Sequence, residues 1–226
     1  MASTLFTQRH SPYKGKSVGA YSSFNLALHV GDDSEAVERN RFSLSRDVGP
    51  SVYMNQVHGN SVVIVDSHVI AQPTADALVT QEANVALVVL VADCIPLLLW
   101  DNKESCIAAV HVGRRGLTNG ITSNVLEIMR IMGARDIQAS IGPSICGACY
   151  EVGDDVFQEV VDLFPLAQCK SHRGGRSLDL SKALEAHLLA DGVEVVARGG
   201  CTNEDENYFS YRRDGHTGRQ AGVIWL

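Results

Sequence analysis

Apolar residues along the chain fall into short runs and longer periodic segments, which predict a mixture of strands and helices. Residues 51–57 and 61–66 are rich in valine and flank the dipeptide Gly59-Asn60. Two such runs on either side of a tight turn predict a β-hairpin. His58 would then lie at the turn of this hairpin.

Two further runs predict strands that end close to potential metal-binding side chains. Residues 85–92 and 106–112 are almost wholly apolar, as expected for strands buried on both faces. Cys94 follows the first run, and Pro96 should prevent a simple continuation of that strand. His111 is the polar residue of the second run and lies near its end. Cys94 and His111 are therefore both expected at strand ends.

Three segments carry apolar residues at the spacing of an amphipathic helix. They are residues 117–132 with Gly133 as a stop, residues 154–164 ended by Pro165, and residues 179–191 followed by Gly192. Shorter apolar runs predict strands at residues 137–141, 193–197 and 221–226. Residues 168–177 are the most irregular stretch and are expected to form an exposed loop.

Strands that occur both in hairpins and in alternation with helices favour an α+β, or mixed α/β, domain over a doubly wound parallel fold. The sequence contains no repeat, low-complexity tract or linker. At 226 residues it predicts a single domain, residues 1–226, with a mixed β-sheet flanked by helices.

The composition limits the classes of partner. The formal net charge is −7, which argues against nucleic acid or an anionic membrane as a partner, because both attract basic surfaces. No signal peptide or spanning segment is evident. Six cysteines are too few for a disulfide scaffold and favour a reducing, cytoplasmic setting. Small anions remain possible ligands, and no obligate protein partner is indicated.

His58, Cys94 and His111 are the first candidates for chemistry. Two imidazoles and a thiolate form a ligand set that zinc accepts, and a fourth position would stay open for water or substrate. Zinc can lower the pKa of a bound water to about 7. The spacing matches no local zinc motif, so the residues alone also fit structural roles, a thiol nucleophile with a histidine base, or a copper site.

Cys146-Gly-Ala-Cys149 is a single C-x-x-C motif, which could form half of a structural zinc site or a redox pair. A metal would need two more ligands, and the sequence has no second C-x-x-C motif. We therefore interpret both cysteines as small packing residues beside a turn, and we expect Cys201 to be buried at a strand end. The remaining histidines are interpreted as surface or packing residues: His10, His29, His68, His172, His187 and His216.

Arginines form two local basic clusters in this acidic chain. Arg114 and Arg115 lie in a glycine-flanked turn before a predicted helix, where backbone N–H groups and guanidinium groups could bind an anion. The second cluster spans residues 211–219 and contains Arg213. Both clusters are compatible with a phosphate ligand, although charged surface loops are also common.

Several segments resemble one protein family in collinear order. They are Asn55-Gln-Val-His-Gly59, Ala75-Asp-Ala-Leu-Val-Thr80, Val91-Ala-Asp-Cys-Ile-Pro-Leu-Leu-Leu99, Ala108-Ala-Val-His-Val-Gly113, Ile141-Gly-Pro-Ser-Ile145, Tyr150-Glu-Val-Gly153 and Phe209-Ser-Tyr-Arg-Arg-Asp-Gly215. The chain is similar to the YfiH/laccase-domain family, also called the purine nucleoside phosphorylase family related to human FAMIN. The resemblance runs from about Asn25 to the C-terminus.

The resemblance implies a single mixed α/β domain with a metal bound by His58, Cys94 and His111. It implies a zinc enzyme that phosphorolyses adenosine, inosine, guanosine and methylthioadenosine and deaminates adenosine. An older description implies a copper-dependent polyphenol oxidase, and editing of peptidoglycan precursors by an amidase is a further alternative. The family usually has Gly-Trp-Arg-Gly after the second metal histidine, whereas Arg114 replaces the tryptophan here. That difference bears on substrate range.

These implications give each candidate residue an expected role. Asp93 could move protons during deamination, and Arg115 is the first choice for binding phosphate. The supporting residues are Arg41 and Arg213 for phosphate, and Asn55 and Gln56 for hydrogen bonds to base or ribose. We expect about one zinc per chain at the His-Cys-His site.

Overall fold

The computed structural model of the chain describes residues 2–10, 12–66, 72–103 and 106–226. The α-helices are α1 (Ser34–Val48), α2 (Arg114–Thr118), α3 (Ile121–Ile131), α4 (Asp154–Leu163), α5 (Leu180–Ala190) and α6 (Tyr211–Asp214). The strands are β1 (Ser3–Phe6), β2 (Ser51–Val52), β3 (Val62–Ile64), β4 (Ala77–Thr80), β5 (Ala86–Val91), β6 (Ile95–Asp101), β7 (Ile107–Val112), β8 (Ile137–Ile141), β9 (Gln168–Lys170), β10 (Arg176–Leu178), β11 (Glu194–Arg198) and β12 (Gln220–Trp225).

Among the described residues, the strands form two main sheets. The larger has the order β11-β8-β6-β7-β4-β3, and the smaller has the order β1-β12-β5-β2. Most neighbours are antiparallel, but β11 and β8, β3 and β4, and β2 and β5 run parallel. The mixed α/β class predicted from the sequence is confirmed, with the strands divided between two mixed sheets.

The two sheets pack face to face because successive residues of each central strand point to opposite sides. In β5, Leu87 and Val89 face the larger sheet, whereas Val88 and Leu90 pack on the side of α1. Helices α3, α4 and α5 cover the outer face of the larger sheet. The layers therefore follow the order helix, smaller sheet, larger sheet, helices. β5 and β7, the strands predicted to be buried on both faces, are buried along their whole length.

The chain passes from one sheet to the other between β5 and β6. Cys94 lies in this crossing, directly before β6. β5 ends at Val91 and does not continue through Pro96, as predicted, but Pro96 itself lies inside the next strand, β6, opposite His111 of β7. Proline lacks an N–H group, but its carbonyl still accepts a hydrogen bond from Gly142 N–H at 2.9 Å. The crossing brings Cys94 and His111 to one end of the space between the sheets.

The predicted hairpin around His58 is also wrong. β2 pairs with β5 of the smaller sheet, whereas β3 pairs with β4 of the larger sheet. The segment between them wraps around the carboxylate of Asp76, which accepts hydrogen bonds from the backbone N–H groups of Val57, His58 and Gly59. These three N–H groups therefore donate to the buried Asp76 side chain and not to the partners that they would have in a hairpin turn.

The helix predictions are largely confirmed. Residues 117–132 form two helices instead of one, because Gly120 adopts a φ of 79° between α2 and α3. α4 ends directly before the Phe164-Pro165 step, as predicted. α5 begins after Asp179, whose carboxylate accepts a hydrogen bond from Lys182 N–H, which is ordinary N-terminal capping.

Residues 168–177, expected to form a loop, are in fact largely the two-stranded ribbon β9–β10. The turn of the ribbon is closed by hydrogen bonds from Ser171 N–H to the Gly175 carbonyl and from Gly175 N–H to Ser171 Oγ. Short polar ribbons of this kind lack the apolar alternation on which strand prediction depends.

No helix in the described ranges combines the length and the apolar character needed to cross a bilayer. The long apolar run of residues 85–100 forms β5 and most of β6. His68 lies outside the described residues.

Candidate metal centre and active site

His58, Cys94 and His111 come together at the end of the space between the sheets. One donor atom from each residue lies within 4.8 Å of the other two. Cys94 Sγ is 3.9 Å from His58 Nε2, and the two imidazole rings meet edge to face with centroids 4.7 Å apart. His111 is buried, whereas His58 is exposed. The cluster thus has a buried side and a side open to solvent.

Asp76 organises two of the three donors from beneath. Its carboxylate accepts the His58 N–H at 2.9 Å and lies 2.8 Å from His111 Nδ1. The same carboxylate holds the backbone of Gly59 at 2.6 Å. His58 adopts a φ of 58°, a left-handed conformation that these hydrogen bonds stabilise. Asp76 is fully buried and thereby fixes both the loop of His58 and the ring of His111.

The hydrogen bond at His111 Nδ1 leaves Nε2 as the nitrogen available to a ligand. A carboxylate behind a metal-binding histidine orients the ring and increases its basicity in this way. Sequence reasoning missed Asp76, although it lies in one of the quoted motifs. Its signal was a lone acidic residue at the start of the apolar strand β4.

Electrostatics couple the three donors. Burial alone would raise the pKa of the Cys94 thiol, but the charge and hydrogen bonds of His111 and His58 lower it to about 6. Burial alone would lower the pKa of His111, but Cys94 and Asp76 raise it to about 9. The thiolate form of Cys94 is the form that binds metals. The lowered pKa therefore favours the ligating form of Cys94, whereas His111 must release a proton before it can bind a metal.

Gly113 leaves the room that the cluster needs. A Cβ atom at this position would lie 3.0 Å from His58 Cδ2 and 3.2 Å from Cys94 Sγ. Any larger residue would therefore press on both donors. The nitrogen and sulfur donors, the carboxylate behind them and this space together fit a small metal ion of the zinc or copper kind.

A cavity of about 450 Å³ opens beside the three donors, within the range of small-molecule sites. Its walls combine apolar backbone and side chains from β5 with aromatic and cationic groups. The cationic and aromatic groups are His29, Tyr150, Tyr211, Arg212 and Arg219. Three of these five belong to the basic cluster of residues 211–219, which the sequence suggested for phosphate, but none of the five was given an individual role there.

Arg219 is the most enclosed cation of the cavity. Burial lowers its pKa, while Cys94 and Asp93 act in the opposite direction. Its Nη1 donates to the carbonyls of Thr217 and Gly218 at 3.0 and 2.9 Å. An anion in the cavity would offset the cost of burying this charge.

Asp93 and Gln56 both line the cavity, but their polar groups already have protein partners. The Asp93 carboxylate accepts hydrogen bonds from Thr202 Oγ1 at 2.7 Å and from Arg212 N–H at 2.6 Å. The Gln56 amide exchanges two hydrogen bonds with the backbone of Leu90. Both residues hold neighbouring segments in place.

The other predicted site residues lie outside the cavity lining. Arg115 is exposed on α2, and Asn55 is exposed with its amide on Thr74. Arg41 donates to the Leu26 carbonyl and stacks on Tyr53.

Arg213 is likewise engaged by the protein. It donates to the carbonyls of Thr202 and Tyr208 and pairs with Asp214. Arg114, which replaces the expected tryptophan, forms an ion pair with Glu159 at 2.8 Å. Neither residue is among those that line the cavity.

Comparison with known proteins identifies the family of the chain. Residues 3–226 match the family described as multi-copper polyphenol oxidoreductase laccase. A purine nucleoside phosphorylase of Corynebacterium glutamicum is 43% identical over 98% of this chain and 93% of its own length. The purine nucleoside phosphorylase YfiH of Escherichia coli is 34% identical over 94% of this chain and 90% of its own length.

A solved structure shows the same fold. The crystal structure of the Neisseria meningitidis protein NMB0706 matches with a TM-score of 0.89 at 39% identity, covering 100% of this chain and 94% of that one. The fold, the length matched and the sequence identity all agree. The chain therefore belongs to the laccase-domain family that includes YfiH.

Proposed function

We propose that the protein is a zinc-dependent purine nucleoside phosphorylase that also deaminates adenosine. The single observation that carries this proposal is a three-donor metal cluster that opens on a nucleoside-sized cavity containing Arg212 and Arg219. The two relatives described above, both named purine nucleoside phosphorylases, add support for a phosphorylase.

His58, Cys94 and His111 would hold the metal. Two imidazoles and one thiolate suit zinc, and three protein ligands leave a coordination position open. When bound, zinc supplies Lewis-acid chemistry and lowers the pKa of a coordinated water. Asp76 keeps His111 in the required orientation through the 2.8 Å contact at Nδ1.

We assign the anion-binding role to Arg219 and Arg212, which line the cavity. In phosphorolysis, a phosphate oxygen forms a bond to C1′ of the ribose while the bond from C1′ to the purine nitrogen breaks. The purine leaves with the electron pair and takes up a proton. Guanidinium groups bind phosphate well because their planar N–H groups match its oxygens. This assignment replaces Arg115, which is exposed outside the cavity.

The aromatic residues Tyr150 and Tyr211 offer flat surfaces for the purine base. The expected substrates are adenosine, inosine, guanosine and methylthioadenosine. In deamination, water would add to the purine carbon that bears the amine of adenosine and the amine would leave as ammonia, giving inosine in the same cavity without phosphate. We assign Asp93 a positioning role, since its two carboxylate oxygens hold Thr202 and Arg212. A reducing, cytoplasmic setting is part of the proposal, since six cysteines are too few for a disulfide scaffold.

The experiment is a product analysis with metal-defined protein. Zinc-loaded protein is incubated with inosine or adenosine, with and without phosphate, and the products are identified by chromatography and mass spectrometry. We expect hypoxanthine and ribose 1-phosphate from inosine only when phosphate is present, and inosine and ammonia from adenosine in either condition. The matched controls are Cys94→Ala, which should be inactive, and Cys169→Ala, which removes a thiol outside the site.

A copper-dependent polyphenol oxidase is the second candidate, favoured by the description of the family model and by a nitrogen–sulfur donor set that copper also accepts. Copper-loaded protein is therefore tested with a phenolic substrate in parallel. Phenol oxidation without any nucleoside cleavage would refute the phosphorylase assignment. Failure of both reactions would direct attention to the amidase alternative.

A further inference from the structure

A second cluster of metal-binding side chains lies apart from the first. Its donors are three thiols and one carboxylate, from Cys146, Cys149, Cys201 and Glu204, and one atom from each lies within 4.8 Å of all the others. The cluster is built from two short turns, Cys146-x-x-Cys149 and Cys201-x-x-Glu204. The sequence interpretation stopped at the first turn because the second ends in glutamate instead of cysteine.

Backbone hydrogen bonds align the two turns. Within the first turn, the N–H groups of Cys149 and Tyr150 both donate to the Cys146 carbonyl at 3.1 Å. Between the turns, Cys146 N–H donates to Cys201 Sγ at 3.3 Å. The turns therefore supply both the donors and part of their polar surroundings.

A parallel β-bridge holds the turns in register from outside the cluster. Ser144 pairs with Cys201, and Thr202 N–H donates to the Ser144 carbonyl at 3.0 Å. Because β8 and β11 also run parallel just before these turns, the arrangement is set by the sheet. The donors are thus placed by rigid structure and not by a flexible loop.

We propose that Cys146, Cys149, Cys201 and Glu204 form a second, structural zinc site. Four protein donors with three thiolates match the closed, tetrahedral coordination of structural zinc. A Zn–S bond of about 2.3 Å places neighbouring sulfurs about 3.8 Å apart, which the cluster can reach by a small contraction from its present spacing. This site is independent of the function proposed above.

His172 and Glu204 form the support that such a site requires. His172 Nε2 lies 2.8 Å from Glu204 Oε1, the oxygen that also accepts from Cys149 Sγ at 3.4 Å. A hydrogen-bonded partner behind a ligating carboxylate is a usual feature of metal sites. Cys149 and His172 also line an open depression on the surface, which gives a metal ion a path to the cluster.

Zinc at this site would fix one wall of the catalytic cavity. Ile145 and Tyr150, which flank the first turn, both line that cavity. Ile145 N–H donates to the Asp93 carbonyl, and Thr202 Oγ1 donates to the Asp93 carboxylate. A metal linking the two turns would hold these contacts from outside the site where substrate binds.

The test is a zinc inventory that separates the two clusters. Untagged protein purified with zinc, and its Cys94→Ala variant, are assayed for bound zinc by elemental analysis. A thiol-blocking reagent then releases the metal for detection with a chromogenic chelator. We expect two zinc ions per wild-type chain and one per Cys94→Ala chain. Adding Cys146→Ser and Cys149→Ser to that variant should remove the remaining zinc, while adding Cys169→Ser should not.

Cobalt substitution gives a readout that does not depend on activity or on the stoichiometry of one preparation. Cobalt bound to the Cys94→Ala variant should show the intense near-ultraviolet sulfur-to-metal absorption of a multi-thiolate site, and Glu204→Gln should alter its visible bands. Chelation of the Cys94→Ala protein should lower its Tm by about 2–4 °C or more.

Two outcomes would overturn the proposal. The first is Cys94→Ala protein that is folded, contains no zinc and gives no thiolate absorption with cobalt. The second is a Cys146–Cys149 disulfide found by mass spectrometry in protein purified under reducing conditions, which would identify the pair as a redox centre. If the triple variant fails to fold, the cobalt spectrum of Cys94→Ala alone still decides between these results.

Discussion

The two donor clusters differ in where their ligands come from and in what surrounds them. One cluster takes its donors from three separate segments of the chain, at His58, Cys94 and His111. The crossing of the chain between the two sheets brings these segments together. The Cys146–Glu204 cluster is made of two short turns after neighbouring parallel strands. The His58–Cys94–His111 cluster has three protein donors and borders the 450 Å³ cavity. The Cys146–Glu204 cluster has four protein donors.

This difference teaches how ligand number separates chemistry from support. Three protein ligands leave a position for substrate or water, whereas four close the coordination sphere. The buried carboxylate of Asp76 orients the three-donor cluster from inside the core. The partner of the four-donor cluster is His172, which is 67% exposed, so its surroundings contribute less orientation. The predictions below test this contrast, beginning with the largest effect.

Loss of Cys94 should separate the clusters most sharply. Cys94→Ala removes one of only three ligands, so we expect phosphorolysis to fall by at least about 1000-fold, equivalent to ~4 kcal/mol of transition-state stabilisation. Steady-state kinetics with inosine and phosphate measure this change. Near-normal activity in a variant that has lost one zinc would show that the metal at the three-donor cluster is not catalytic.

Asp76 should matter for one cluster alone. Asp76→Asn keeps the shape of the side chain but weakens its bonds to His111 and to the loop of His58, so we expect zinc affinity at that cluster to fall by about 10–100-fold. Competition with a chelator measures the affinity, and a melting curve reports folding. An equal loss of zinc from both clusters would indicate general unfolding and would contradict this local role.

Substitution of Arg219, which lines the cavity, should affect phosphate binding more than substitution of Arg115 on α2. We expect Arg219→Gln to raise the KM for phosphate by about 10-fold, or ~1.4 kcal/mol, because it removes an enclosed cation from the cavity. Arg115→Gln, on the exposed surface, is the matched control and should leave KM nearly unchanged. Initial rates over a phosphate series measure both variants.

Deamination provides the internal comparison for the arginine variants. It uses water in place of phosphate, so Arg219→Gln should affect it less. An equal loss of both activities would identify Arg219 as a nucleoside-binding or structural residue. A larger effect from Arg115→Gln would restore the assignment suggested by the sequence.

The sequence predicted those parts of the molecule in which local pattern and burial agree. β5 is continuously apolar, β7 is apolar except for His111, and both lie inside the layers, while α4 and α5 end just before a proline and a glycine. The His-Cys-His trio was selected because each residue was expected near a strand end or turn. The position of His58 is set by its backbone hydrogen bond to Asp76 and not by the expected hairpin turn.

The features that sequence reasoning missed depend on contacts between distant segments. Arg219 and Tyr150 reach the cavity only because the C-terminal segment and the turn after β8 converge on β5. Glu204 joins the cysteines because β8 and β11 are paired in register. Neither contact can be inferred from residue spacing along the chain. A C-x-x-E turn is nevertheless a signal that a search for metal half-sites could include.

The smallest expected effect concerns the activity of protein without the four-donor cluster. Cys146→Ser with Cys149→Ser leaves every donor of the three-donor cluster in place, so we expect kcat to stay within about 10-fold, or ~1.4 kcal/mol, of the wild-type value. Whatever loss occurs should appear mainly in the KM for nucleoside, because Tyr150 and Ile145 line the cavity next to this turn. Cys169→Ser is the control for removing a nearby thiol. A loss as large as that of Cys94→Ala, in protein that keeps one zinc and its fold, would mean that the two clusters are not divided between chemistry and support.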